Sequence, residues 1–344
     1  MSQISTLSEF MNASGCRWCA YDLSRQVRAL SPALIEEVET GRQPFPTPRQ
    51  QKAWLALVFW QSIDKPYIWF ASLPLDERGG FQQAAMQHFM SIIVEALGSD
   101  LTQDPTKEQE ALLEQNPYIF TPDMNKRAAF HAQFTRDFDL NASIHFESAD
   151  AFFSGNSDID WQQLGVQGIH DVIQRKLENS SVQQTLNLNL LEWPEPLQQA
   201  VCQAIEHAQL PSSLADNLIG KAQSNESSRV NPVLLQAMAS VANRKGVEQF
   251  VLKTLQQSEG ETRTQILIII AARLWQALAK PEVFQNYFEV LATDSEEVFQ
   301  SLFKELVTLP SLRMNCLQLL NSPQQNEQLQ QQIVKLITNM KGRS

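Results

Sequence analysis

Glycine is scarce, at 12 of 344 residues. Phosphate-cradling loops need it, because backbone N–H groups must approach the anion closely and take left-handed torsions. The chain holds no P-loop, no G-x-G-x-x-G and no G-x-S-x-G run, which excludes the enzyme classes that carry those motifs. Cysteine is also sparse: Cys16, Cys19, Cys202 and Cys316 are too few for a disulfide scaffold at this length. The longest apolar runs, 54–60 and 266–272, fall far short of the ~20 residues of a membrane-spanning helix. The first ten residues, MSQISTLSEF, have neither a basic n-region nor an apolar h-region. A soluble cytoplasmic protein is expected. Positive charge is in deficit, with 27 Lys and Arg against 38 Asp and Glu, net −11. Nucleic acid and anionic membranes both select basic surfaces, so neither is the expected partner.

What remains is 43% hydrophobic and 19% charged, enough apolar matter for packed interiors, and the length favours two domains. Residues 1–155 are aromatic-rich and broken by Pro and Gly, with 12 basic and 19 acidic residues. Residues 156–344 are rich in Gln, Leu and Ala, with 15 basic and 19 acidic residues.

The first half reads as an α+β domain with a small three-stranded antiparallel sheet. Residues 16–23 and 26–30 suit short strands. Residues 67–75 (YIWFASLPL) are aromatic and β-branched, apolar on both faces, which makes Trp69 and Phe70 expected core residues. Residues 49–63, following Pro44, Pro46 and Pro48, are expected as a covering helix. Residues 81–97 have helical apolar spacing with Gly98 behind them, and place His88 on the apolar stripe. Further helices are expected at 106–114, 122–137 and 143–153.

The second half shows no strand pattern and is expected to be all-α, so the chain is mostly α overall. A helix is expected at 160–177, then helix pairs. First-helix starts fall near Asp160, Glu195, Val230, Thr262, Asp294 and Gln325, an interval of roughly 30 to 35 residues, the helix–turn–helix period of solenoids. Leu197, Val201, Ile205 and Ala208 form one stripe, and Leu214, Leu218 and Ile219 the next. Neither stripe can be buried by its own helix. An irregular bundle with accidental spacing is the alternative. Glutamine, 39 residues in all and dense in 322–332, is the polar face of the last helix, because Leu329, Ile333, Leu336 and Ile337 keep helical spacing.

The chemical candidates each have a plain structural reading beside them. Cys16-Arg-Trp-Cys19 has redox or zinc spacing, but it lies in an expected strand, its thiols face opposite sides, and two further ligands are missing. His131 and His145, with Asp137, Asp139 and Glu147 nearby, form either a carboxylate–histidine cluster or a solvated helix face. Asp76 and Glu77 follow a strand end as paired carboxylates, or Asp76 caps a turn in which Gly79 and Gly80 supply the torsions. Arg17, Arg25 and Arg28 are the one candidate basic patch. No catalytic residue, metal site or cofactor is assigned.

Tyr67-Ile-Trp-Phe70, Leu73-Pro-Leu-Asp-Glu77 with Gly80, Ala53-Trp54-Leu55 with Phe59-Trp60, and Leu164-Gly-Val-Gln-Gly-Ile169 resemble a bacterial domain-of-unknown-function family, DUF3549, over nearly the whole chain. The resemblance implies a soluble bacterial protein and carries no activity, ligand or catalytic residue; the Cys16/Cys19 pair is outside its pattern. The expected function is a non-catalytic protein-interaction or scaffold module that binds another protein or peptide. The rival is an enzyme or small-ligand binder with a pocket between the domains. Nothing in the sequence sets the oligomeric state.

Overall fold

The computed structural model describes residues 5–98, 101, 106–156, 158–224, 232–322 and 326–341. The anticipated helix starts at Val230 and Gln325 lie outside the described residues. Contacts divide the chain into two compact units: residues 1–123 with 308–310, and residues 124–307 with 311–344. Among the described residues no helix is long and apolar enough to cross a membrane.

The first unit runs α1 (Leu7–Ala13), β1 (Arg17–Asp22), β2 (Arg28–Leu30), α2 (Pro32–Glu39), β3 (Lys52–Trp60), β4 (Tyr67–Pro74), α3 (Gln83–Leu97) and α4 (Lys107–Glu114). The sheet is antiparallel with order β2-β1-β3-β4. It has four strands rather than three, because the segment 49–63 expected as a helix is β3, a central strand. Its register places Phe59 opposite Trp18 and Tyr67, and Leu57 opposite Ala20 and Trp69. On that face Leu55, Leu57 and Phe59 pack with Leu7, Phe10, Ile35, Val38, Phe89 and Ile93 of α1, α2 and α3. Tyr21, Ala56 and Val58 on the other face are buried as well. A strand buried on both faces loses the polar alternation that marks it in sequence. Gln50 and Gln51, at φ 52° and 56°, make the turn before β3, so the prolines upstream end a loop and do not open a helix.

Helices α1 and α2 were not anticipated, although their caps are written locally. The Thr6 hydroxyl accepts from Glu9 N, and the Glu9 side chain accepts from Thr6 N, a capping box. Ser31 caps α2 ahead of Pro32. Trp69 and Phe70 are only partly buried. Trp69 packs against the core from its edge, and Phe70 meets Phe120 with ring centres 6.1 Å apart.

The second unit contains α5 (Met124–Asp137), α6 (Phe146–Phe153), α7 (Val166–Lys176), α8 (Ser180–Asn189), α9 (Glu195–Glu206), α10 (Ser212–Ser224), α11 (Pro232–Ala237), α12 (Lys245–Gln257), α13 (Gly260–Arg273), α14 (Pro281–Leu291), α15 (Glu296–Val307), α16 (Pro310–Asn321) and α17 (Glu327–Lys341), with no strand among its described residues. The expected helix 160–177 is split. A 3-10 turn at Trp161–Gln163 is capped by Asp160, and α7 restarts after Gly165. Helix α7 packs on α9, α9 on α11, α11 on α13, α13 on α15, and α15 on α17; likewise α8 on α10, α10 on α12, and α12 on α14. The stripes Leu197/Val201/Ile205 and Leu214/Leu218/Ile219 are buried as expected. The sequence division after residue 155 and the contact division after residue 123 differ by α5 and α6, which pack on α7. Ser157, beside the sequence division, lies outside the described residues.

Candidate functional site

In the first unit the candidate residues serve turns and strands. Asp76 Oδ1 accepts from Arg78 N at 2.8 Å and Gly80 N at 2.9 Å, which is the side-chain turn that aspartate commonly makes. Gly79 stands at φ 85°, and a Cβ there would lie 2.8 Å from Pro44 Cβ. Glu77 is exposed beside this turn. Cys16 packs toward the helix-covered core, while Cys19 pairs with Val58 on the opposite face, so the two thiols do not converge. Arg25 is 2% exposed and its Nε donates to the Pro48 carbonyl at 3.1 Å; the basic patch imagined with Arg17 and Arg28 does not form. His88 is exposed and not a core residue, with Nδ1 3.3 Å from the Tyr118 hydroxyl. One carboxylate that sequence reasoning missed is Glu39. It lines an open cavity of about 640 Å³ together with Asp76, accepts from Ser8 N at 3.0 Å, and is pushed up in pKa by burial.

In the second unit α5, the loop 138–145 and α7 bring more chemistry together. His145 sits over Gly165 and Gly168. A Cβ at Gly168 would fall 2.4 Å from the His145 carbonyl oxygen, and one at Gly165 2.9 Å from the imidazole. These glycines therefore set how closely the loop lies on α7, and they belong to the Leu164-Gly-Val-Gln-Gly-Ile169 run. From α7, Asp171 Oδ2 accepts from Ser143 N at 3.0 Å. Asp171 Oδ1 accepts from Gln167 Nε2 at 3.1 Å. Arg175 donates to the Leu140 carbonyl at 2.9 Å and to Thr135 Oγ1 at 3.0 Å. Arg136 of α5 donates to Gln174 Oε1 at 2.7 Å. His131 lies on the same helix. Burial lowers its pKa, the Arg127 charge lowers it further, and Asp171 opposes them. His131 and His145 thus meet the α7 neighbourhood differently: His131 feels the Asp171 charge, and His145 packs on the two glycines. A cleft of about 460 Å³ opens beside the loop, lined by Asp139, Ser143, Glu147, Arg175 and Lys176 among others.

Deeper in the unit lies a set of ionisable groups that no sequence motif announced. Lys126 of α5, His170 and Asp171 of α7, and Glu206 of α9 are 5%, 0%, 1% and 3% exposed. Arg273 of α13 reaches Glu206, Nε to Oε1 at 2.5 Å. His207, its side chain 4% exposed, stands 3.8 Å from the same carboxylate, and its ring faces that of His170 at 6.5 Å. The His207 pKa falls well below the ordinary histidine value, first because the ring is buried, then because Lys126, His170 and Arg273 repel a proton. His207 is therefore neutral, and its carbonyl accepts from Gln174 Nε2 at 2.8 Å. No group of three His, Cys, Asp or Glu among the described residues is arranged to hold a metal ion. Burial pushes the Cys202 and Cys316 thiols up to about 12, which keeps them protonated and poorly nucleophilic.

Residues 2–337 match the family described as Protein of unknown function (DUF3549). The chain belongs to that family. Its resemblance runs, including the two glycines under His145, thus lie in a full-length DUF3549 match. No curated protein and no solved structure is significantly similar to it.

Proposed function

We propose that this DUF3549 chain is a soluble bacterial cytoplasmic protein that acts as a non-catalytic interaction module, and that its second unit is a helix-pair solenoid. One observation carries the reading. Hydrogen bonds between alternate helices and the loops beside them recur at offsets of 30 to 34 residues: Gln174 to His207, Lys221 to Asn187, Leu210 to Ser240, Arg244 to Ser212, Arg263 to Thr293 and Thr264 to Asp294. The alternate-layer packing from α7 to α15 and from α8 to α14 has the same step. Each unit of such a stack touches only its neighbours, and the stack offers a long surface to a protein or peptide. Gln174 fits this reading, since it ties α7 to the end of α9; Arg273 and Glu206 join α13 to α9 across the intervening pair, a contact beyond nearest neighbours that a regular solenoid does not require.

The test is purification of the tagged chain from its native host, followed by mass spectrometry and reconstitution from purified components. A protein that co-elutes at fixed stoichiometry after reconstitution is the expected result. A chain that elutes alone with every co-purifying protein, mixed at micromolar concentration, would overturn the proposal.

A further inference from the structure

Ile144 breaks the burial logic of the second unit. It is 94% exposed, whereas the other exposed large apolar side chains among the described residues run from 37% to 63%. A β-branched apolar side chain gains nothing from water. The loop that carries it is not loose. Ser143 N is held by Asp171 on one side of Ile144. Leu140 is held twice, its carbonyl by Arg175 and its N–H by the Thr135 carbonyl at 2.8 Å. On the other side His145 rests on Gly165 and Gly168, and Phe146 N donates to the Ser143 carbonyl at 3.0 Å. Asp139 starts the loop in the left-handed region at φ 53°. An apolar side chain presented on a braced loop loses little conformational freedom on association, which is the condition for a binding anchor.

The cleft beside the loop has a charge balance of its own. Arg136 is spent on Asp137 at 2.7 Å, Lys176 faces Asp150 at 4.0 Å, and Arg175 turns its guanidinium inward to Leu140 and Thr135. The carboxylates of Asp139 and Glu147, both exposed and both lining the cleft, have no cationic partner among the described residues. Arg175 keeps its charge, because both of its acceptors are neutral, but the two exposed carboxylates outnumber it, so the mouth of the cleft is on balance acidic and favours a cation.

We propose that the loop 139–146 is the docking element of the interaction module. It takes a protein segment that sends a Lys or Arg between Asp139 and Glu147 while an apolar pocket of the same partner receives Ile144. The proposal rests on the reading of the chain as an interaction protein, and names where and with what chemistry it binds.

The test places the photo-reactive residue benzoylphenylalanine at position 144 of the full chain, and in a second protein at position 188, where Leu188 is 58% exposed on another helix. Both are irradiated in the native host. The expected result is a crosslink from position 144 to one protein, mapped to a segment bearing Lys or Arg. With that protein purified, Ile144→Ser, and Asp139→Asn with Glu147→Gln, are each expected to weaken binding at least tenfold, with the charge removals losing their effect at high salt; Asn, like Asp, is tolerated in the left-handed region. All three residues are exposed, so the variants should keep the wild-type melting temperature. A crosslink from 188 and none from 144 would leave the interaction reading standing and overturn this site. A crosslink from 144 to an acidic segment, or affinity unchanged by the substitutions, would also overturn it. No crosslink from either position, together with no partner on purification, would remove both.

Discussion

Gly168 shows at the scale of one residue what the glycine-poor sequence spends glycine on. A methyl group there would sit 2.4 Å from the His145 carbonyl oxygen, which is backbone and cannot swing aside. Gly168→Ala is expected to destabilise by about 1–3 kcal/mol, the usual cost of forcing a methyl into a filled space. Gly220 is also helical, but a Cβ there meets nothing within 4 Å. Gly220→Ala should stabilise by about 0.5–1 kcal/mol through helix propensity alone. Denaturant midpoints of the pair check this; a Gly168→Ala protein as stable as wild type would mean the loop does not rest on α7. His207 supplies a second residue-scale outcome. Its folded-state pKa is lowered by burial and by Lys126, His170 and Arg273. Above about pH 6.5 both folded and unfolded chains hold it neutral. Below that the unfolded chain takes up a proton the folded one refuses, and stability is lost at up to about 1.4 kcal/mol per pH unit. His207→Gln abolishes that uptake. Whatever the variant costs at pH 8, the cost should shrink from pH 6.5 downward in parallel melts, and a constant difference from pH 8 to pH 5 would contradict the assignment.

At the scale of elements, β3 carries the main lesson about legibility. Helices of the second unit are buried on one side, so their 3.6-residue stripes survive in the sequence, and the stripes at Leu197 and Leu214 are where the spacing puts them. Ala53–Trp60 is apolar at every position because both sheet faces are covered, and an unbroken apolar run fits helix and strand alike. Two cues favoured the strand: the run is short, and Val58, Phe59 and Trp60 are β-branched or aromatic. The candidate sites divide in the same way. Asp76 as a turn residue could be read locally, because its partners are two and four residues away. The set of Lys126, His170, Glu206, His207 and Arg273 could not, because its members come from four helices whose packing no local pattern encodes. The correction to the sheet also changes which aromatics matter. Phe59 is fully buried, with ring centres 5.5 Å from Tyr67 and 4.4 Å from Trp69, and Phe59→Ala is expected to cost about 3–5 kcal/mol. Phe70 is only partly buried, so Phe70→Ala should cost about 1 kcal/mol, nearer the middle of the range for point substitutions. Equal losses for the two would mean that Phe70 lies in the core after all.

At the scale of the whole molecule the two possible dividing lines make different predictions about fragments. Contacts place α5 and α6 in the second unit, where both pack on α7. Phe130 and Phe134 of α5 and Phe153 of α6 are 0%, 2% and 0% exposed. Removing a large buried aromatic side chain costs about 3–5 kcal/mol, so losing all three consumes most of the ~5–15 kcal/mol that a domain has. The polar ties go with them. Asp171 loses Ser143 N, Gln167 loses the Ala128 carbonyl at 3.2 Å, Gln174 loses Arg136, and Arg175 loses Leu140 and Thr135. Asp171 and Gln174, both buried in the full chain, would be solvated in their place, so the loss that matters is the apolar surface left bare. A fragment of residues 124–344 is therefore expected to be strongly helical by circular dichroism and to melt cooperatively. A fragment of residues 158–344 is expected to aggregate or to melt without cooperativity, because α7 would have lost the two helices it packs against on one side. If the shorter fragment melts as sharply and as high as the longer one, α5 and α6 are dispensable to the helical stack, and the division belongs near residue 155, where the change in composition first placed it.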